Sequence, residues 1–451
     1  MNKFLQFFST GKAIPRLTEQ QQIDKLYRRN RLSLMLAVTL GYGFAYTCRL
    51  GLSVVKKPLL DQGIFTAEQL GMVGSALLYG YAFGKLTNGF LADHANIKRF
   101  FAAGVFLSAL MNLFMSQTEI LLAWIILWGL NGWFQGYGAP TGAVVLSRWF
   151  SKSERGRYYG IWSTAHSMGE GLSFVGSAAL VSFFGWQGGF FGPGLFCILV
   201  AIGIYLLMQD RPETLGLPPV AEWKKDYAGL RPEDRKLSQQ KTSAAQLSIL
   251  KTPSIWILGL SSATMYVTRY AINSWGVLYL QEAKGYSLIE AGSMLGLNTL
   301  AGIVGCVAYG FISDKLFKAR RPPVTLIFGI IEIGALCVIF LVPNTNSFIL
   351  TSAFVVYGFT LSGLLAALGG LFAIDIAPKS AAGAVMGFIG VFSYMGAGIQ
   401  DQISGYLIGQ GVTIIQGVRH YNFDRAIMFW IGGSILSMVL AATLWRVKVT
   451  D

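Results

Sequence analysis

At 451 residues, with 53% hydrophobic side chains, 13% charged ones and a mean hydropathy of +0.51, the chain lies far from the balance of a water-soluble domain. A formal net charge of +14 would fit nucleic-acid binding, but its distribution argues against it: of 36 Lys and Arg, five (Lys56, Lys57, Lys284, Arg419, Arg425) lie in one set of alternate connections and three (Arg49, Lys85, Arg269) inside apolar stretches. The other 28 fall in the tails and the opposite set of connections, the asymmetry of a polytopic membrane protein.

Residues 1–31 are polar and amphipathic, with no sustained apolar core followed by a cleavage site, and are expected to lie on the cytoplasmic membrane surface as an N-terminal segment. Apolar stretches of roughly 18 or more residues, long enough for a ~30 Å hydrocarbon core, then follow at 32–55, 67–92, 100–118, 119–147, 158–184 and 187–208. Residues 209–253 form a polar connection. A second block of six stretches runs at 254–281, 287–313, 323–343, 347–376, 380–410 and 424–446, before a tail at 447–451. The predicted fold class is an all-α membrane protein of twelve transmembrane helices in two six-helix domains, 32–208 and 254–446. An even number of spans with the cations on one face places both termini and the connection in the cytoplasm. Cys48, Cys197, Cys306 and Cys337 are isolated within apolar stretches and read as small packing residues.

The blocks repeat. GFLADHANIKR (Gly89 to Arg99) recurs as GFISDKLFKARR (Gly310 to Arg321), with a shift of 221 from Gly89 to Gly310 and from Asp93 to Asp314; Arg49 and Arg269 are 220 apart. Gly156/Gly160 recur as Gly383/Gly387 at a shift of 227, and such four-residue spacing predicts close helix packing there.

Arg49 and Arg269 are the central candidates. A guanidinium at mid-bilayer costs roughly 2.5–3.5 kcal/mol on insertion scales, so it normally faces a bundle interior and a charged partner. Tyr42, Tyr46 and Arg49 share one helical stripe, and Ser262, Tyr266, Arg269 and Asn273 another. Two such stripes at matching places predict one anion held between the halves. The alternative is a structural pair with Glu170, Glu332 or Asp401, although no two carboxylates occupy matching positions. Arginine suits phosphate because its planar fork donates two parallel hydrogen bonds and stays charged when poorly hydrated. Lys85 either adds a third buried cation or snorkels to the surface. His166, with Glu170 one turn later, reads as a charged imidazole contacting the anion or as a satisfied buried histidine. Asp401, between Gln400 and Gln402, could meet substrate hydroxyls, pair with a cation or carry a proton. Asp93, Arg99, Asp314 and Arg321 are gating candidates that pair at helix ends and hold one conformation. No nucleophile with its base, metal-ligand cluster or nucleotide loop is found, so no catalytic residue, metal or cofactor is expected.

GFLADHANIKR, NGWFQGYGAP, WFSKSERGRYYGIWSTAH, GFISDKLFKARR, LGLPPVAEW and AIDIAPKSAAGAVMGFIGVFSYMG together resemble the major facilitator superfamily, and within it the organophosphate:phosphate antiporters, over nearly the whole chain. The resemblance implies phosphate binding by Arg49 and Arg269, substrate contacts from Lys85 and His166, and aromatic contacts from Tyr42, Tyr46, Tyr266 and Tyr394. Glycerol-3-phosphate carriers usually have a lysine after the first arginine, where this chain has Leu50, and an aspartate shortly after the second, where it has Asn273 and Ser274. RYAINSWGVLYL looks closer to hexose-phosphate carriers and their sensor relatives. The expected function is therefore sugar-phosphate import, most simply of glucose 6-phosphate, in exchange for inorganic phosphate across a bacterial inner membrane, with Asn273, Ser362 and Asp401 reading the sugar and a monomer as the working unit. A hexose-phosphate sensor signalling to a kinase, a proton-coupled symporter and a glycerol-3-phosphate or phosphoglycerate antiporter remain as alternatives.

Overall fold

The computed structural model describes residues 7–151, 153–226, 249–318, 320–343, 346–376, 382–415 and 418–447. Apolar sequence becomes helix because a backbone in lipid must satisfy its own polar groups. Helix α1 (Gln20–Ala45) and α2 (Thr47–Asp61) make span one, broken at Tyr46; α3 (Ala67–His94) is span two and α4 (Ile97–Met115) span three. Helices α5 (Leu121–Gln135) and α6 (Gly138–Trp149) make span four. Spans five and six run together as α7 (Arg155–Leu207), folded back at Gly185, whose φ of 71° is open to glycine. A four-residue α8 (Val220–Trp223) lies in the connection.

The second half repeats this plan. Span seven is α9 (Pro253–Tyr270), a π-helical turn at Ala271–Trp275 and α10 (Gly276–Glu282); spans eight and nine are α11 (Leu288–Lys315) and α12 (Arg321–Leu341). Span ten is α13 (Ser347–Ala366), a π-helical turn at Ala367–Leu371 and α14 (Phe372–Ile376). Span eleven is α15 (Ala382–Gln410), and α16 (Asp424–Thr443) is span twelve. Between them β1 (Val412–Ile415) and β2 (Val418–Tyr421) form an antiparallel hairpin. Taken singly, six of these helices are long and apolar enough to cross a membrane.

The repeat extends to the helix starts. Thr66 caps α3 in a reciprocal capping box with Gln69, and Ser287 caps α11 with Glu290; both pairs are again 221 residues apart. Each half is packed through small residues: a methyl group on Gly136 would fall 2.5 Å from the carbonyl carbon of Gly84 between spans four and two, and one on Gly305 1.8 Å from the Phe359 carbonyl oxygen between spans eight and ten. The expected packing at Gly156/Gly160 and Gly387 is not found, because nothing lies within 4 Å of a side chain placed there; the Gly383 side lies outside the described residues. Those glycines sit near the starts of α7 and α15. Ser362, expected at the sugar, instead packs against Gly302 in the contact between spans ten and eight.

The start of the chain is strapped to the turn between spans two and three: Asn96 N donates to the Phe8 carbonyl at 2.7 Å and Arg99 Nη1 to the Phe7 carbonyl at 2.7 Å. The connection docks on the first half, with Trp223 stacked on Tyr27 at 4.1 Å and Asp210 accepting from Gly11 N, Ile97 N and Arg148.

Candidate functional site

Span one places its polar stripe on the axis between the halves. Arg49 is 4% exposed; its Nη2 donates to the Tyr270 hydroxyl at 3.1 Å and the Tyr394 hydroxyl at 3.4 Å, and its guanidinium lies 4.1 Å from the Tyr81 ring and 5.2 Å from that of Tyr46. Tyr42 Oη is 3.4 Å from Tyr46 Oη. Among the described residues no carboxylate lies within ion-pair distance of Arg49, so phenols and ring faces are what stabilise this charge.

Span seven answers from the other half. Arg269, 8% exposed, lies 5.5 Å from the Tyr266 ring and 5.8 Å from the Tyr270 ring, and donates to Glu170 at 2.7 Å. The π-helical turn that begins two residues later changes the register, so that Asn273 reaches Glu170 at 3.5 Å while its neighbour Ser274 donates to Asp401 at 2.7 Å. Tyr270 thus sits between the two guanidiniums. Tyr394 closes the cluster, 4.4 Å from Tyr81 and 5.4 Å from Tyr266, with Lys85 Nζ 5.8 Å from its ring.

The expected His166–Glu170 pairing does not occur. His166 Nδ1 lies 2.5 Å from the Ser163 carbonyl, a partner that requires the proton on that nitrogen, and Nε2 is 3.4 Å from Ser167 Oγ. Glu170 pairs with Arg269 of the opposite half at 2.7 Å, the arginine–carboxylate alternative that the sequence leaves open, while Arg49 has no such partner among the described residues. Lys85 is half-buried, with its Nζ 5.8 Å from the Tyr394 ring of the opposite half. Asp401 is 1% exposed: of its three readings, the geometry supplies the cation, Lys56, at 3.5 Å, with Lys56 Nζ also 2.7 Å from Ser274 Oγ and 3.3 Å from the Trp275 ring centre.

Lys56, which the charge pattern places in a connection, is 0% exposed. The signal was present: the stripe Tyr42, Tyr46, Arg49 continues through Ser53 to Lys56 at helical spacing. A cavity of about 30 Å³ lies between Arg49 and Asp401, lined also by Ser53, Gly74, Tyr270 and Asn273, and has room for about one water molecule.

Contacts between the halves gather at this centre and on the side away from the linker. There Lys57 pairs with Glu282, Arg419 donates to the Leu60 carbonyl at 3.4 Å, Ser75 donates to the Gly398 carbonyl at 2.8 Å, and Gly71 and Gly405 let two backbones touch. On the linker side Arg321 joins Asp314 and Asp375, both at 2.7 Å, within the second half. In the first half Arg99, at the end of the matching motif, holds the Phe7 carbonyl, and the side chain of Asp93 lies outside the described residues.

The comparisons agree with this architecture. The Major Facilitator Superfamily profile matches residues 35–400. A probable hexose phosphate transport protein of Chlamydia pneumoniae is 31% identical, with 93% of each chain covered. The membrane sensor protein UhpC of Escherichia coli is 32% identical over 88% of this chain and 90% of its own. The glycerol-3-phosphate transporter of Bacillus subtilis is 32% identical over 98% of both. Among solved structures, a bacterial homologue of the lysosomal transporter Spinster superposes with a TM-score of 0.72 at 19% identity, covering 92% of this chain and 95% of its own. Duplicated six-helix halves with facing arginines, this profile and these relatives lead to one assignment: the chain is a multi-pass membrane protein that belongs to the Major Facilitator Superfamily, in the group that holds these hexose phosphate, glycerol-3-phosphate and sensor relatives.

Proposed function

We propose that the chain is a secondary transporter that imports an organophosphate, with a hexose phosphate as the favoured substrate, in exchange for inorganic phosphate by alternating access. The observation that carries this reading is the facing of two buried guanidiniums, Arg49 from the first half and Arg269 from the second, across the shared Tyr270 ring. A phosphate oxygen pair suits each planar fork, so one dianion can bind both halves at once. Lys85 adds charge on the linker side of the site, and His166, its proton held on Nδ1, offers Nε2 as an acceptor. Binding offsets repulsion between cationic halves and lowers the barrier to closure, while Asn273 meets the organic part and Asp401 stays with Lys56. The relatives named as hexose phosphate and glycerol-3-phosphate transporters support organophosphate cargo, and no covalent chemistry is needed. With 28 of 36 cations on the linker side, both termini face the cytoplasm of a bacterial inner membrane and the linker side is the inward one.

A second reading follows from the 32% identity to a membrane sensor: ligand binding alone, reported to a partner kinase. Proteoliposomes loaded with radiolabelled phosphate separate the two. Fast efflux on adding external glucose 6-phosphate, glycerol 3-phosphate or 3-phosphoglycerate establishes exchange and identifies the substrate; saturable binding without efflux supports the sensor. Arg269→Lys should cripple exchange in a protein that still folds, and normal exchange by it refutes the two-arginine site.

A further inference from the structure

Arg269 already holds an anion. Glu170 is 8% exposed, and its Oε1 accepts from Arg269 Nη2 at 2.7 Å and lies 3.5 Å from Asn273 Nδ2. Glu170 belongs to span five and its partners to span seven, so this carboxylate spans the two halves and occupies the guanidinium that phosphate would use. Arg49 has phenols instead.

We infer that Glu170 is a tethered counter-anion that takes the place of phosphate when the site is empty, and that the carrier therefore supports net flux of phosphate and organophosphate in addition to exchange. The inference rests on the exchange reading for the identity of the ligand. An empty carrier can pass between its open states only by drawing its binding cations into a low-dielectric centre, where like charges repel and lose hydration. Bound phosphate removes that barrier, which makes exchange the fast mode. A carboxylate reaching across to Arg269 removes part of it with no ligand at all, leaving Arg49 and the half-buried Lys85 to be accommodated. Incoming phosphate must displace Glu170, so the residue that allows empty return also weakens binding.

The test uses the full chain in proteoliposomes holding radiolabelled phosphate, with valinomycin and equal potassium on both sides so that charge movement does not stop efflux. One arm supplies external phosphate and reads exchange; the other supplies only gluconate and reads net efflux. The wild type should show net efflux above that of protein-free vesicles. Glu170→Gln should lose at least about tenfold of this net efflux, because a buried charge left without its partner is strongly disfavoured, while its exchange half-saturates at lower phosphate. Glu170→Asp, which keeps the charge on a shorter arm, should recover part of the net efflux, and exchange by each variant shows that it is folded. Wild-type net efflux no faster than in empty vesicles, beside fast exchange, overturns the inference without any variant. So does undiminished net efflux in an exchange-competent Glu170→Gln. Net efflux without exchange refutes the exchange reading instead, and no movement in either arm refutes both.

Discussion

Asp401→Asn should open the side of the molecule away from the linker. Lys56 and Asp401 have side chains 0% and 1% exposed and lie 3.5 Å apart, one in each half, with Ser274 Oγ accepting from the ammonium and donating to the carboxylate at 2.7 Å each. Removing one member of a buried ion pair costs about 3–5 kcal/mol. The carboxamide still accepts from Ser274, which returns about 1 kcal/mol; the contact of Lys56 with Trp275 is present in both forms and cancels. A net cost of about 2–4 kcal/mol then falls on the closed far side, because separation of the halves hydrates Lys56. At 1.4 kcal/mol per tenfold, the population moves roughly 30- to 700-fold toward the far-open form. The assay is a pulsed electron-spin distance between labels at Gln62→Cys and Ala283→Cys, exposed positions at the far ends of spans one and seven, with Cys306 and Cys337 replaced by serine and Cys48 and Cys197 left buried. Asp401→Asn should lengthen the distance. The double variant Lys56→Met/Asp401→Asn should restore most of the short population, because no charge then remains buried. An unchanged distribution in the single variant, or a double variant as perturbed as the single, refutes the latch.

Gly74→Ala should lengthen the same label distance, since its methyl would fall 1.6 Å from Asp401 Oδ2; an unaltered closed population together with native circular dichroism refutes this. Ser287→Ala removes the N-cap of α11 and should lower stability by about 1 kcal/mol, as should Thr66→Ala at α3; the check is a thermal shift in detergent, and no shift at either site contradicts the assigned role of the boxes. Arg321→Gln leaves Asp314 and Asp375 without their shared cation. Because Asp314 is 61% exposed, a modest loss of about 1 kcal/mol is expected, read as a changed exchange rate at unchanged half-saturation; the opposite pattern would assign Arg321 to binding.

Periodicity reports the face a residue occupies, and here it was informative. The stripes through Arg49 and Arg269 do meet on the axis, and the 221-residue shift reappears in two capping boxes that only the helix starts reveal. Periodicity is silent on what a face will meet. Sequence offers Glu170 both to His166, four residues away, and to the buried arginines, and nothing local decides between them; the pair that forms is with Arg269, 99 residues away, and Asp401 meets Lys56 across 345. Those pairings arise only when two separately folded halves approach, so no local pattern encodes them. Lys56 was missed for another reason: a charge next to Lys57 and Pro58 looks like the end of a span, although the helix runs on to Asp61. The four-residue glycine spacing failed at Gly156/Gly160 because small residues permit contact without supplying the partner, and nothing lies within 4 Å of a side chain placed there.

The two cross-half pairs are reciprocal, and this bears on mechanism. The first half gives a cation, Lys56, to a carboxylate of the second, and the second gives Arg269 to Glu170 of the first. Their roles are nevertheless different. The Lys56 pair closes the end of the 30 Å³ cavity opposite Arg49, its Asp401 forming part of the wall, and joins the contacts between the halves on the far side, so opening of that side separates it. The Glu170 pair lies on Arg269, which the proposed two-arginine site gives to phosphate, so on that proposal an arriving anion competes with it. On the proposed site, one pair therefore reports which side is open and the other whether the site is filled, and Arg49, answered among the described residues by phenols and not by a carboxylate, is the charge phosphate would meet without displacing one.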